Sequence, residues 1–120
     1  PSLVLAQKVS NVGRRDWVYH FTRQREGDLA ATMGAYHGAE LPYVFDTHDD
    51  WLPTVEADHR LTKVMQSYWV NFATNGNPNQ SGLQPWLPFK SDSRKIQSIG
   101  DRLYSSEHPS QPLCAFLSPT

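Results

Sequence analysis

His37 is the residue of this chain best suited to do chemistry. It stands in the run MGAYHGAE, with Gly34 and Gly38 bracketing Tyr36 and His37, so the backbone around it can bend sharply. A general base in acyl transfer must reach both a nucleophile and a leaving group while a carboxylate holds its other ring nitrogen. A glycine-flanked loop at the end of a sheet offers that placement. An isolated loop histidine is also an ordinary surface residue, and the residues by themselves leave both readings open. A self-contained serine hydrolase is a different matter. Its nucleophile needs a sharp G-x-S-x-G turn that exposes the hydroxyl and lets an oxyanion approach backbone N–H donors, and no serine here has that setting. Cys114, the only cysteine, has neither a helix start nor a neighbouring base in the sequence to lower its pKa, so it is read as no nucleophile.

Asp46, His48, Asp49, Asp50 and His59 crowd a short acidic stretch, yet no histidine pair has one-turn spacing and the aspartates lack the pattern of a calcium loop. They read as a solvated loop with no metal. Arg14, Arg15, Arg23 and Arg25 form a basic cluster interrupted and followed by Asp16, Glu26 and Asp28, which reads as a solvated face. Asn79–Ser81 fits a glycosylation acceptor, a tripeptide common by chance.

The elements that must position these groups are uneven in clarity. Leu61, Val64, Met65, Tyr68, Trp69, Phe72 and Ala73 step by three and one, the spacing of a single apolar stripe on a helix of roughly five turns. Thr54 or Asp58 would cap its start, and the NGNPN run at Asn75–Asn79 would stop it. Leu5, Val9 and Val12 predict an earlier amphipathic helix ended by Gly13. Between the two, DWVYHFT predicts a strand buried on both faces, and LPYVFDT a short strand with Pro42 at its edge. LQPWLPF is bounded by prolines and its two aromatics look exposed. Ile96 and Ile99 suit a short strand or hairpin, and the tail is Pro- and Ser-rich. Helix, strand, loop, short strand, long helix is an α/β order, but one buried strand needs neighbours on both edges, so the architecture is incomplete within the chain.

With 120 residues the chain suits one domain. Eleven basic against twelve acidic side chains leave no surplus positive charge for a nucleic-acid backbone, so no nucleic-acid partner is expected. No apolar run is long enough to span a membrane. The opening PSLVLAQKVSNVGRR puts its charges after a short apolar stretch, the reverse of a secretory leader, and no Met precedes it; a cleavage product or a piece cut from a longer chain is expected.

Three ordered motifs then stand together: GAYHGAELPYVFDT at Gly34–Thr47, MQSYWVNFATNGNPN at Met65–Asn79, and PWLPF at Pro85–Phe89. Their order and spacing closely resemble the C-terminal part of the type-B carboxylesterases, the family that also contains the cholinesterases. The resemblance runs over about Val9 to Phe116. It implies that residues 1–120 are the incomplete C-terminal portion of a single α/β-hydrolase catalytic domain, with late core strands, the loop of the catalytic histidine and a long C-terminal helix. It further implies hydrolysis of carboxylic esters by a Ser, Glu or Asp, and His triad without a cofactor. On this resemblance His37 is the triad histidine, and Gly38 and Glu40 support it, Glu40 as a buried carboxylate that shapes the site. The nucleophile elbow, the oxyanion loop and the triad acid would lie in the remainder of the same domain, which is then the chain's obligate partner beside the ester substrate. The chain alone should be inactive. A secreted or periplasmic setting suits the family. A non-catalytic adhesion module of the same fold is the alternative, although it has no chemical need for the histidine.

Overall fold

The computed structural model describes residues 2–117. Their order is α1 (Ser2–Asn11), β1 (Tyr19–Phe21), α2 (Ala30–Met33), α3 (Leu41–Phe45), α4 (Glu56–Asn75), β2 (Lys95–Ile99), β3 (Leu103–Glu107) and α5 (Gln111–Leu117). They divide into two compact units. One holds the residues up to His20 with Trp86–Ser98 and those from Tyr104 onward; the other holds Phe21–Pro85 with Ile99–Leu103.

In the first unit α1 ends as its glycine requires. Gly13 takes φ 74°, and the N–H groups of Gly13 and Arg14 reach back to Ser10 O and Val9 O. The buried side of α1 differs from the predicted stripe: Ala6 joins Phe89 and Ile96 in a small core with Leu3 and Val18 packed on it, while Leu5 and Val12 face solvent. Apolar residues occupy more than one side of this helix, so spacing alone does not select the buried one.

The sheet runs β1-β2-β3. The strand buried on both faces is therefore the central one, β2, whose residues Ile96 to Ile99 are all buried. β1 is an edge strand of three half-buried residues, which corrects the two-faced burial expected of Trp17–Phe21. PWLPF is also corrected. Trp86 is 5% exposed and Phe89 4%, because the segment is stitched down: the Trp86 indole N–H donates to Val18 O at 3.2 Å, Trp17 returns a bond to Trp86 O at 3.1 Å, and Phe89 N–H reaches Asp16 O. Pro85 and Pro88 cannot donate backbone bonds, so the two indole side chains share the attachment with the Phe89 N–H. Cys114 lies in α5, a helix that the tail's composition concealed; its side chain is outside the described residues.

In the second unit α3 packs on α4. The predicted short strand LPYVFDT is thus a helical turn, started by Pro42 in its first positions and closed by Asp46 in the left-handed conformation. A short apolar run fits a strand or a helix equally, and here proline supplies the helical φ. α4 keeps the expected length. Asp58 Oδ2 accepts the Val55 N–H at 2.9 Å, and Gly76 at φ 72° closes the far end onto Phe72 O. Its buried face is Asp58, Leu61, Thr62, Met65 and Tyr68; Phe72, expected in the stripe, is half exposed. Tyr68 tolerates full burial because its hydroxyl donates to Gln84 O at 2.5 Å.

Candidate active-site histidine loop

The loop between α2 and α3 carries Tyr36, His37, Gly38, Ala39 and Glu40. Two turns fix its backbone, Ala39 N–H to Tyr36 O at 3.0 Å and Leu41 N–H to Gly38 O at 3.1 Å. Gly38 sits at φ 85°, a conformation that side chains rarely adopt. Past that bend Glu40 begins α3, and its carbonyl accepts the N–H groups of Tyr43 and Val44. His37 is exposed at the crest, and no described residue hydrogen-bonds its ring. Glu40 is half-buried, not buried as the resemblance implied. The buried carboxylate of this unit is Asp58.

Asp58 is the shared acceptor of the buried polar groups beside α3. Its Oδ1 accepts from Arg23 Nε at 2.8 Å and from the Tyr43 hydroxyl at 2.6 Å. Arg23 Nη1 reaches on to Asp101 at 2.6 Å. Burial alone would raise the Asp58 carboxyl, but the bonds from Arg23, Tyr43 and the Val55 N–H hold it at about 2. Burial, and then the adjacent Asp58 charge, pushes the Tyr43 hydroxyl up. Because Tyr43 lies in α3, this buried carboxylate ties the helix after His37 to the start of α4.

The acidic stretch behaves differently from a solvated loop at one position. The Thr62 hydroxyl gives its only proton to Asp58 O at 2.8 Å, so it accepts from His48 Nε2, also at 2.8 Å. His48 therefore carries its proton on Nε2, and its Nδ1 is buried without a partner. Burial, with the Arg25 charge next, holds the ring's pKa below the usual histidine range. Among the described residues no group of three or more His, Cys, Asp or Glu side chains is placed to hold a metal.

The basic cluster also divides. Arg14 and Arg15 are exposed, but Arg23 and Arg25 are each 7% exposed, which corrects the solvated face. Arg23 is buried against its carboxylate. Arg25 is buried against main-chain carbonyls, acceptors that a sequence does not display. A cleft of about 280 Å³ lies by the start of α4, lined by Arg23, Arg60, Leu61, Val64 and Asp101; His37, Gly38 and Glu40 take no part in it. Tyr36 and Trp51 lie against each other with ring centroids 5.7 Å apart.

Human cocaine esterase is 40% identical over 67 residues, which is 54% of this chain and 12% of that protein. Rat carboxylesterase 1E is 28% identical over 121 residues, or 98% of this chain and 21% of that protein. Among solved structures, a PNB esterase superposes with a TM-score of 0.84 at 24% identity, covering 98% of this chain and 24% of that one. The chain thus spans about a fifth of the length of the rat relative, and the fold is a partial α/β-hydrolase fold. Residues 1–117 match the carboxylesterase family as a whole, and the chain belongs to that family.

Proposed function

We propose that this chain is the C-terminal segment of a serine carboxylic-ester hydrolase domain and supplies its triad histidine, His37. The observation that carries the reading is an exposed imidazole free of hydrogen-bond partners within the described chain, mounted on a loop whose backbone is held by two turns. Both ring nitrogens are then available to groups from the rest of the domain. One would meet the triad carboxylate and the other the nucleophilic serine.

In that arrangement His37 takes the serine proton as the hydroxyl attacks the ester carbonyl and returns it to the departing alcohol. It then takes a proton from a water that attacks the acyl carbon and gives it to the serine oxygen as the acyl bond breaks, which releases the acid and restores the serine. Gly38 lets the chain turn directly beneath the imidazole, and Glu40 opens the helix that seats the loop. Without a nucleophile or oxyanion donors the 120-residue chain has nothing for its base to activate, so alone it is inactive.

The test is His37→Ala in the complete enzyme, with ester turnover measured. Loss of a triad member lowers kcat by several powers of ten. Activity within about tenfold of the parent rejects the role of His37.

A further inference from the structure

Arg25 is an unusual cation. It is almost fully buried, and among the described residues no carboxylate lies within ion-pair distance of it. Its charge is answered by a cage of neutral oxygens from one short segment. Nε donates to Pro53 O at 3.2 Å, and Nη2 donates to Asp49 O at 3.3 Å, to Leu52 O at 2.5 Å and to the Thr54 hydroxyl. Burying a guanidinium without a counter-ion is costly; Nη1 is buried without a partner, so the bonds from Nε and Nη2 carry the cation, and a planar fork aimed at several acceptors fixes their mutual positions. Two residues on, Gly27 adds a steric contact. At φ 107° it sits so close to Pro53 that a Cβ there would lie 2.8 Å from the proline ring.

The clamped segment carries Trp51, whose ring braces Tyr36 at 5.7 Å, and Tyr36 immediately precedes His37. The His37 ring itself has no hydrogen-bond partner in the described chain, and this aromatic contact restrains the residue next to it.

We propose that the Arg25–Gly27 clamp positions His37 by way of Trp51 and Tyr36. Arg25 acts at a distance, as a positioning residue. The inference rests on His37 being the catalytic base. It explains why a cation is buried where a sequence of this composition would leave it in water.

A double-mutant cycle in the complete enzyme tests the proposal. Trp51 is 45% exposed, so Trp51→Ala removes the brace without hollowing a core. It should lower kcat about tenfold while KM stays within about twofold, and Trp51→Phe should restore most of the loss. Arg25→Lys keeps the charge but loses the fork. It should lower kcat comparably in the parent and by less than about twofold in the Trp51→Ala background, because the two changes break one path. Should Arg25→Lys not accumulate, Gly27→Ala takes its place in the cycle, since it displaces Pro53 and leaves the charge intact. An unchanged kcat in Trp51→Ala, or losses that simply multiply, overturns the proposal. A general loss of stability would multiply in this way. If His37→Ala retains activity, it is the assignment of His37 that fails; if His37→Ala is dead and the cycle is multiplicative, only the clamp fails.

Discussion

Asp58 Oδ1 lies 2.8 Å from Arg23 Nε, with the carboxylate fully buried and the guanidinium only 7% exposed. Arg23 also reaches Asp101, but that carboxylate is 73% exposed and holds its charge in water, where an ion pair adds little. The buried partner is thus the one that makes burial of Arg23 tolerable. Asp58 serves two further donors, the Tyr43 hydroxyl and the Val55 N–H, so three segments of the second unit converge on a single side chain.

Asp58→Ala should therefore cost about 3–5 kcal/mol, because it leaves a buried guanidinium and a buried phenol without their acceptor. Urea-induced unfolding of the complete enzyme measures it. A loss below about 1 kcal/mol would mean that Asp101 alone can satisfy Arg23, and that the buried pair is not the centre of this unit.

The same carboxylate sets an acid limit. Its pKa falls from 3.8 to about 2 in the folded chain, since the bonds from Arg23, Tyr43 and Val55 outweigh the burial that alone would raise it. A depressed folded pKa means that the unfolded chain binds the proton first as pH falls. The contribution is present above about pH 4 and is lost as pH falls toward 2; the shift corresponds to about 2 kcal/mol. Stability of the parent and of Asp58→Asn, followed between pH 5 and 2, should converge at the acid end. Parallel curves would show that Asp58 titrates as an ordinary carboxyl.

Much of this arrangement could be read from residue types, and the exceptions have separate causes. Helix α4 was legible because seven apolar residues repeat at helical spacing over several turns, and its glycine stop follows directly. The loop at His37 was legible because two glycines flank an imidazole. Helix α3 was not, since five residues are too few for a period to distinguish helix from strand. Burial of Arg23 and Arg25 was hidden for a different reason. Charge count predicts solvent, and only the fold reveals that one arginine meets a distant aspartate and the other a set of carbonyls. The two-faced burial expected of β1 belongs to β2, because strand order, not the apolar content of a segment, decides which strand is central.

Trp86 gives a test of this last kind of misreading, a proline-flanked aromatic that looks like surface and is core. Its indole N–H donates to Val18 O, whose oxygen also accepts the Gln97 N–H at 2.9 Å, and its ring meets Tyr19 edge-on with centroids 6.1 Å apart. Trp86→Phe removes the donor but leaves the Val18 carbonyl satisfied by Gln97, so no acceptor is orphaned and the cost should stay near 1–2 kcal/mol, roughly that of a lost hydrogen bond with some volume. Trp86→Ala removes the ring as well and opens a cavity beside β1, at about 3–5 kcal/mol. Thermal unfolding of the two variants separates these outcomes. Equal and small losses from both would place Trp86 back on the surface, as its neighbouring prolines suggest.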